Sequence, residues 1–456
     1  MTKGESAGDE RIPAQVVIPS QFGASPIVGW WGRTFASLSN RNYRLFFIGQ
    51  GISLVGTWMR MTAQGWLVYQ LTGSKFLLGA VTTLGLAPLF LFSTVAGVVA
   101  DRLPKRKLLI AAQTCMMIVS FWVAALVHLG LIEVWHLMLA ATLIGTAFAV
   151  DLPTRQAYYI ELVGRRDLLN AIALNSAAFN AARIVGPAVA GLIMATVGIA
   201  ACFLADSLSF VAVIASLLVI RVDRAAHTDP EGSRWQDLLE GFRYVVSTRR
   251  VRILLSLLGV TGIFGWAYVA LIPAFARDLL GLSEAGYGAL LSANGVGALA
   301  GALFVAGRGE HRDSRRQVFG GLWLFCVAII LFALMHHPVP AGIFLCISGF
   351  GLIAFLSTSN TLIQLAVPDL LRGRVMGVWG LVFGGSLPIG SLMLGALAER
   401  VGLVIAMVSG ALVCLAFSVG VFLSLPPRPP AGEGGGRHRP PIQISRPRHG
   451  RDNRAP

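Results

Sequence analysis

Apolar residues in this chain come in runs of about 20, the length a helix needs to cross a hydrocarbon core about 30 Å thick. Twelve such runs span residues 44–70, 76–100, 107–129, 136–158, 168–196, 199–221, 251–276, 284–306, 316–336, 339–366, 373–398 and 402–425. Strand-like alternation is absent, and lipid demands that backbone polar groups be satisfied within each spanning element, so helices are expected rather than a barrel. The pattern predicts an all-α membrane protein with 12 transmembrane helices in two six-helix halves. Residues 1–43 form a polar tail, 44–221 the first bundle, 222–250 a hydrophilic linker, 251–425 the second bundle and 426–456 a basic tail. Within the linker, Trp235 to Val246 has helical periodicity and reads as a helix on the membrane surface. The last stretch is rich in Pro, Gly and Arg, a composition of disorder.

Charge turns this pattern into a topology. Only 13% of residues are charged, against about 25% in soluble domains, yet the net charge is +15. With the N-terminus inside and the segments alternating, outer loops hold only Lys75, Arg277 and Arg400, and Arg60 and Arg183 lie within segments. The remaining 32 of 37 lysines and arginines fall on the cytoplasmic side, so the excess charge marks membrane orientation rather than nucleic-acid binding. Both termini are expected in the cytoplasm. The first forty residues lack the short apolar run and small-residue site of a cleavable signal. The five cysteines stand singly in apolar segments and read as packing residues.

The sequence offers no P-loop, since no lysine follows a glycine, and no metal-ligand or Ser/His/Asp spacing. The expectation is a chain that is not an enzyme and holds no cofactor or metal. Its partners would be the lipid bilayer and a small molecule driven by an ion gradient or by its own gradient alone, and it would work as a monomer. The two halves repeat. Tyr43-Arg44-Leu45 through Trp58 matches Val251-Arg252-Ile253 through Trp266 at an offset of 208. Gly79 matches Gly288, Asp101 falls on Glu310, Arg106-Lys107 falls on Arg315-Arg316, and Gly198 lies near Gly402. Parallel six-helix repeats are a transporter architecture, with the substrate site at their interface.

Between the second and third segments stands Gly97-Val98-Val99-Ala100-Asp101-Arg102-Leu103-Pro104-Lys105-Arg106-Lys107. Pro104 ends the second helix. Gly97 leaves a flat surface one turn before Asp101, whose carboxylate is placed to meet the positive N-terminus of another helix. This stretch resembles the loop 2–3 signature of the major facilitator superfamily. Gly186-Pro187-Ala188-Val189-Ala190-Gly191, in the fifth segment, is similar to the signature of that superfamily's antiporter branch. Asn40-Arg41-Asn42-Tyr43-Arg44, Gly56-Thr57-Trp58-Met59 and Asp151-Leu152-Pro153-Thr154-Arg155-Gln156-Ala157 resemble the subfamily of enterobactin exporters and drug:proton antiporters, the transmembrane secretion effectors. The resemblance implies the major facilitator fold and alternating access. It implies proton-coupled export of a siderophore, drug or amphipathic metabolite across a bacterial inner membrane. It also implies a cytoplasmic latch of Gly97, Asp101, Arg102, Arg106 and Arg155 facing the start of segment eleven at Arg372 and Arg374. An importer or facilitator of the same fold, or a transport-inactive scaffold or sensor, remains as an alternative.

Polar residues inside the segments give the candidate site. Gln50, Ser53, Thr57, Arg60 and Gln64 recur in steps of three and four, on one side of a helix. A central arginine costs about 2.5–3.5 kcal/mol on insertion scales, so Arg60 is expected to face a cavity or a partner. Ser176, Asn180, Arg183 and Pro187 share a face of segment five, with Asp206 as a candidate partner for Arg183. Ser357, Asn360 and Gln364 repeat the theme in segment ten, and Trp266 adds an aromatic from segment seven. By the resemblance, segments one, four, seven and ten line the central cavity. Asp151 and Asp206 are the intramembrane acids available for proton coupling, and Asp151 and Arg155 share a face. Gly186, Pro187 and Gly191 would bend and thin segment five for rocking contact with the other half. Two inward arginines and few acids point to a neutral or acidic cargo.

Overall fold

The structure, a computed structural model, describes residues 35–220, 234–307 and 314–425, with the side chains of 93–96, 98, 100–102, 165, 234–238 and 314 left out. The Asp101 and Arg102 side chains of the expected latch lie outside the described residues. Helix α1 (Arg41–Thr72) starts where Asn40 Oδ1 accepts from the backbone N–H groups of Asn42 and Tyr43, and stops at Gly73 with φ 62°. Ser74 caps α2 (Lys75–Arg102), and Leu103-Pro104 separates it from α3 (Lys105–His128).

Segments four and five prove nearly continuous. Helices α4 (Val134–Gly164) and α5 (Arg166–Thr196) are divided only at Gly164, where φ 68° and ψ 178° turn the chain. The expected loop between them thus shrinks to one glycine in a conformation other residues rarely adopt. Helix α6 (Ile199–Val219) completes the first half.

Helix α7 (Arg234–Ser247) occupies the linker, over the stretch with helical periodicity in the sequence. It docks on the second half: Glu240 pairs with Arg374, and a Cβ at Gly241 would lie 2.6 Å from the Arg374 carbonyl oxygen. The second half comprises α8 (Arg249–Asp278), α9 (Glu284–Gly307), α10 (Ser314–Ala333), α11 (Pro338–Ala366), α12 (Asp369–Val401) and α13 (Leu403–Ser424). Segment seven departs from regular helix: α8 passes through a π turn at Thr261–Gly265 and a 3-10 stretch at Trp266–Leu271 before Pro273 opens its last turn. Such π turns concentrate at functional sites.

Among the described residues, eleven helices are long and apolar enough to cross a membrane. The twelfth, α1, is 32 residues long but carries the Gln50-to-Gln64 polar row. It is nonetheless integral to the bundle, with Gly49 against the Ala212 backbone and Gly56 against Ser209 of α6.

The halves meet along two seams. On one, a Cβ at Gly288 of α9 would lie 2.3 Å from the Pro187 oxygen of α5, and one at Gly191 would lie 2.8 Å from the Glu284 oxygen. On the other, a Cβ at Gly79 of α2 would lie 2.2 Å from the Ser391 oxygen of α12, and one at Gly395 would lie 2.8 Å from the Lys75 oxygen. Gly79 and Gly288 are the positions the internal repeat aligns. Gly191 and Gly395 stand 204 apart, as do Gly198 and Gly402. The two seams are therefore the same contact built twice.

Candidate functional site

The polar row of α1 points into the first half rather than into a cavity. Gly56 lets α1 approach α6 so closely that Arg60, one turn on, reaches Asp206: Nε lies 3.2 Å from Oδ2. Ser120 of α3 donates to the same oxygen at 2.6 Å, so three helices close on a carboxylate that is 0% exposed. Arg60 is 8% exposed and also donates to Gln64 Oε1 at 2.9 Å. Gln50, Ser53 and Arg60, expected to line the cavity, are buried in this structure, and Thr57 and Gln64 are half-buried. Helical spacing puts the five on one side, but the glycines at 49 and 56 lie on that side too and draw it against α6.

A second buried carboxylate sits between α3 and α4. Asp151 is paired with Arg155 one turn along its own helix, and Gln113 Nε2 donates to Asp151 Oδ1 at 2.8 Å. Arg155 is 8% exposed, committed to Asp151. Arg106 donates to the Leu218 carbonyl at the end of α6 at 2.7 Å, and Lys105 Nζ lies 2.6 Å from Glu161 Oε1. The described bonds of Arg106 and Arg155 thus lie within the first half. Gly97 sits on α2, partly exposed. Arg372 pairs with Asp369 at 2.6 Å.

Arg183 does not meet Asp206, which Arg60 already occupies. It crosses the α5–α9 seam instead, donating from Nη2 to Asn294 Oδ1 at 2.8 Å. Asn294 is held from its other side, where Nδ2 donates to the Tyr268 hydroxyl at 3.1 Å and the Leu345 carbonyl at 3.2 Å. Tyr268 in turn lies 3.2 Å from Ser348 Oγ. The chain Arg183–Asn294–Tyr268–Ser348 joins α5, α9, α8 and α11. Asn294, Ser348, Ser120 and Gln113 were missed in the sequence, where single polar residues in apolar helices carry no periodic signal. Around Arg183, Asn180 donates to the Ser176 carbonyl at 2.8 Å, and Gly186 packs on Trp58. Pro187 and Gly191 form the seam.

In the second half, Gln364 Nε2 donates to Asn360 Oδ1 at 2.6 Å, one turn beyond Ser357 on α11. Trp266 packs on Phe383 with centroids 5.2 Å apart, and Phe383 stacks on Trp379 at 4.9 Å. A crevice of about 430 Å³ runs between α2 and the second half, with Phe90, Phe242, Gly259, Gly385 and Ile389 in its wall.

The end that the charge count assigns to the outside is closed by bonds between halves. Tyr69 donates to Asp278 Oδ2. Trp66 donates to Glu284 Oε1 at 3.1 Å while its ring stacks on Tyr287. Glu399 Oε2 accepts from the Lys75 and Phe76 backbone N–H groups at 2.7 and 3.2 Å, capping α2 from the opposite half.

Residues 32–437 match the transmembrane secretion effector family. The chain is 26% identical over 369 residues to the staphyloferrin A transporter of Staphylococcus aureus, covering 79% of this chain and 90% of that one. It is 29% identical over 368 residues to the multidrug efflux pump Tap of Mycolicibacterium fortuitum, covering 78% and 87%. Identity to the enterobactin exporter EntS of Shigella boydii is 28% over 368 residues, covering 78% and 85%. Among solved structures, a bacterial homologue of the human lysosomal transporter Spinster, inward-facing and unoccupied, superposes with a TM-score of 0.65 at 13% identity, covering 88% of this chain and 96% of that one. The nucleoside transporter NupG gives 0.65 at 14% identity, covering 84% and 98%. These structures share the fold.

Proposed function

Because the chain belongs to the transmembrane secretion effector family of major facilitator transporters, we propose that it exports a small amphipathic molecule, a siderophore or drug-like metabolite, by proton-coupled alternating access. Its membrane is a bacterial inner membrane, with both termini in the cytoplasm. The observation that carries this reading is the pair of matched glycine seams, Gly191 on Gly288 and Gly79 on Gly395. Backbone-to-backbone contact without intervening side chains lets two rigid bundles rock on each other. The named relatives, two of them exporters or efflux pumps, support the direction.

Protons need a carboxylate that can exchange its partners. Asp206, enclosed by α1, α3 and α6 against Arg60, fits that need; Asp151 with Arg155 is a second such site. Protonation of Asp206 removes the charge that holds Arg60, and so loosens the packing of α1, the helix that also bears Trp66 and Tyr69 of the outer closure. At the cytoplasmic end, Asp101 with Gly97 serves as the latch.

Comparing metabolites released by a strain lacking this gene with those released by the restored strain tests the reading. A compound that accumulates inside the deletion strain, and whose release from the restored strain collapses with an uncoupler, supports it. Accumulation of that compound only outside the deletion strain would instead indicate import.

A further inference from the structure

Of the arginines Arg60, Arg155 and Arg183, two have a carboxylate. Arg60 has Asp206 and Arg155 has Asp151. Arg183 is the exception. Among the described residues no carboxylate lies within 4.0 Å of its guanidinium, and its polar partner is the neutral amide oxygen of Asn294. A guanidinium presents a fork of N–H donors matched to a carboxylate, and Asn294 Oδ1 engages one arm. Arg183 also keeps part of its surface open, whereas Arg60 and Arg155 are closed in. A positive charge near the middle of a spanning helix, lacking a resident anion, is costly unless an anion visits.

Resting on the export reading above, we propose that Arg183 is the docking point for an acidic group of the substrate, which displaces Asn294 from the guanidinium. The swap is built into the geometry. Asn294 is fixed by Tyr268 and Leu345, so its amide stays in place when Arg183 leaves. The Arg183–Asn294 bond crosses the α5–α9 seam beside Gly295 and Ser292, whose hydroxyl donates to the Ile184 carbonyl at 2.7 Å. Loading an acid therefore cuts a polar tie between the halves at the seam on which they rock. The second seam has Gly85 of α2 where the repeat offset places the counterpart of Asn294, so the lock is one-sided.

The test uses three dansyl probes that share one ring system and differ in charge: dansylglutamate, dansylglycinamide and dansylcadaverine. Each is titrated by fluorescence into the purified full chain in lipid nanodiscs. Wild type should bind the acid about tenfold or more tighter than the neutral and cationic probes, the size of one charged hydrogen bond. Arg183→Gln should level the three, and Arg183→Lys should keep part of the preference. Asn294→Ala should tighten the acid severalfold, because the competing amide is gone. That last variant keeps the test decisive if Arg183→Gln does not fold, as judged by its thermal unfolding. Equal binding of the three probes by wild type, binding of none, an acid preference that survives Arg183→Gln, or weaker acid binding in Asn294→Ala would each overturn the assignment. Acid-selective binding without directed flux would sink the export reading and leave the docking site standing.

Discussion

Arg60 Nε lies 3.2 Å from Asp206 Oδ2 in a pocket sealed by α1, α3 and α6. Removing one partner of a buried pair strands a charge and costs about 3–5 kcal/mol, whereas replacing both with apolar residues is often neutral. Arg60→Met and Asp206→Leu should each lower the thermal unfolding midpoint sharply. The double variant should recover most of the loss yet transport nothing. Additive loss in the double variant would show that the two residues act apart.

Gly79 and Gly288 hold equivalent places in the two seams, each with backbone oxygen 2.2–2.3 Å from the position of a Cβ. Gly79→Val and Gly288→Val should insert normally but prevent outer closure. Maleimide labelling of Gln64→Cys, half-buried toward the outer end of α1, should rise in both. Unchanged labelling in either one would remove that seam from the rocking contact.

The outer closure rests on three acids, each met by donors from the opposite half. Tyr69→Phe removes the bond to Asp278, and Glu399→Gln weakens the cap on α2. Each change is worth about 1–2 kcal/mol, enough to shift the balance of states roughly tenfold toward outer-open. The same labelling assay reads this, and the double variant should exceed either single one.

Asp101→Asn, at the end of α2 just before Leu103-Pro104, should leave insertion intact and cripple transport. Full activity in that variant would reduce the Gly97–Lys107 stretch to a marker of topology.

The apolar runs made the helices, the two halves and the linker helix legible, because run length and charge placement follow directly from the bilayer. The Gly186-Pro187-x-x-x-Gly191 seam was legible too, because small residues at that spacing have one main use in a membrane. Partner choice was not. Arg183 and Arg60 look alike in sequence, and Asp206 suits either. What decided between them is the depth to which Gly56 sinks α1 onto α6, and this depends on Ser209, a residue 153 positions away. Asn294 gave no signal, since a single amide in an apolar helix has no period. The single-glycine break at Gly164 was hidden for a related reason, because polar residues on both sides of it imitate a loop.

Alternation of the two halves about their seams, coupled to protons by the Arg60–Asp206 pair, is open to direct measurement. Spin labels at Leu71→Cys and Val401→Cys report the outer end, and labels at Leu103→Cys and Leu370→Cys report the other, in chains whose native cysteines are replaced. Distances measured by double electron–electron resonance in liposomes should change in opposite senses at the two ends as pH is lowered. The response should vanish in Arg60→Gln/Asp206→Asn. Distances that stay fixed at both ends, or a pH response that persists in the double variant, would contradict the account.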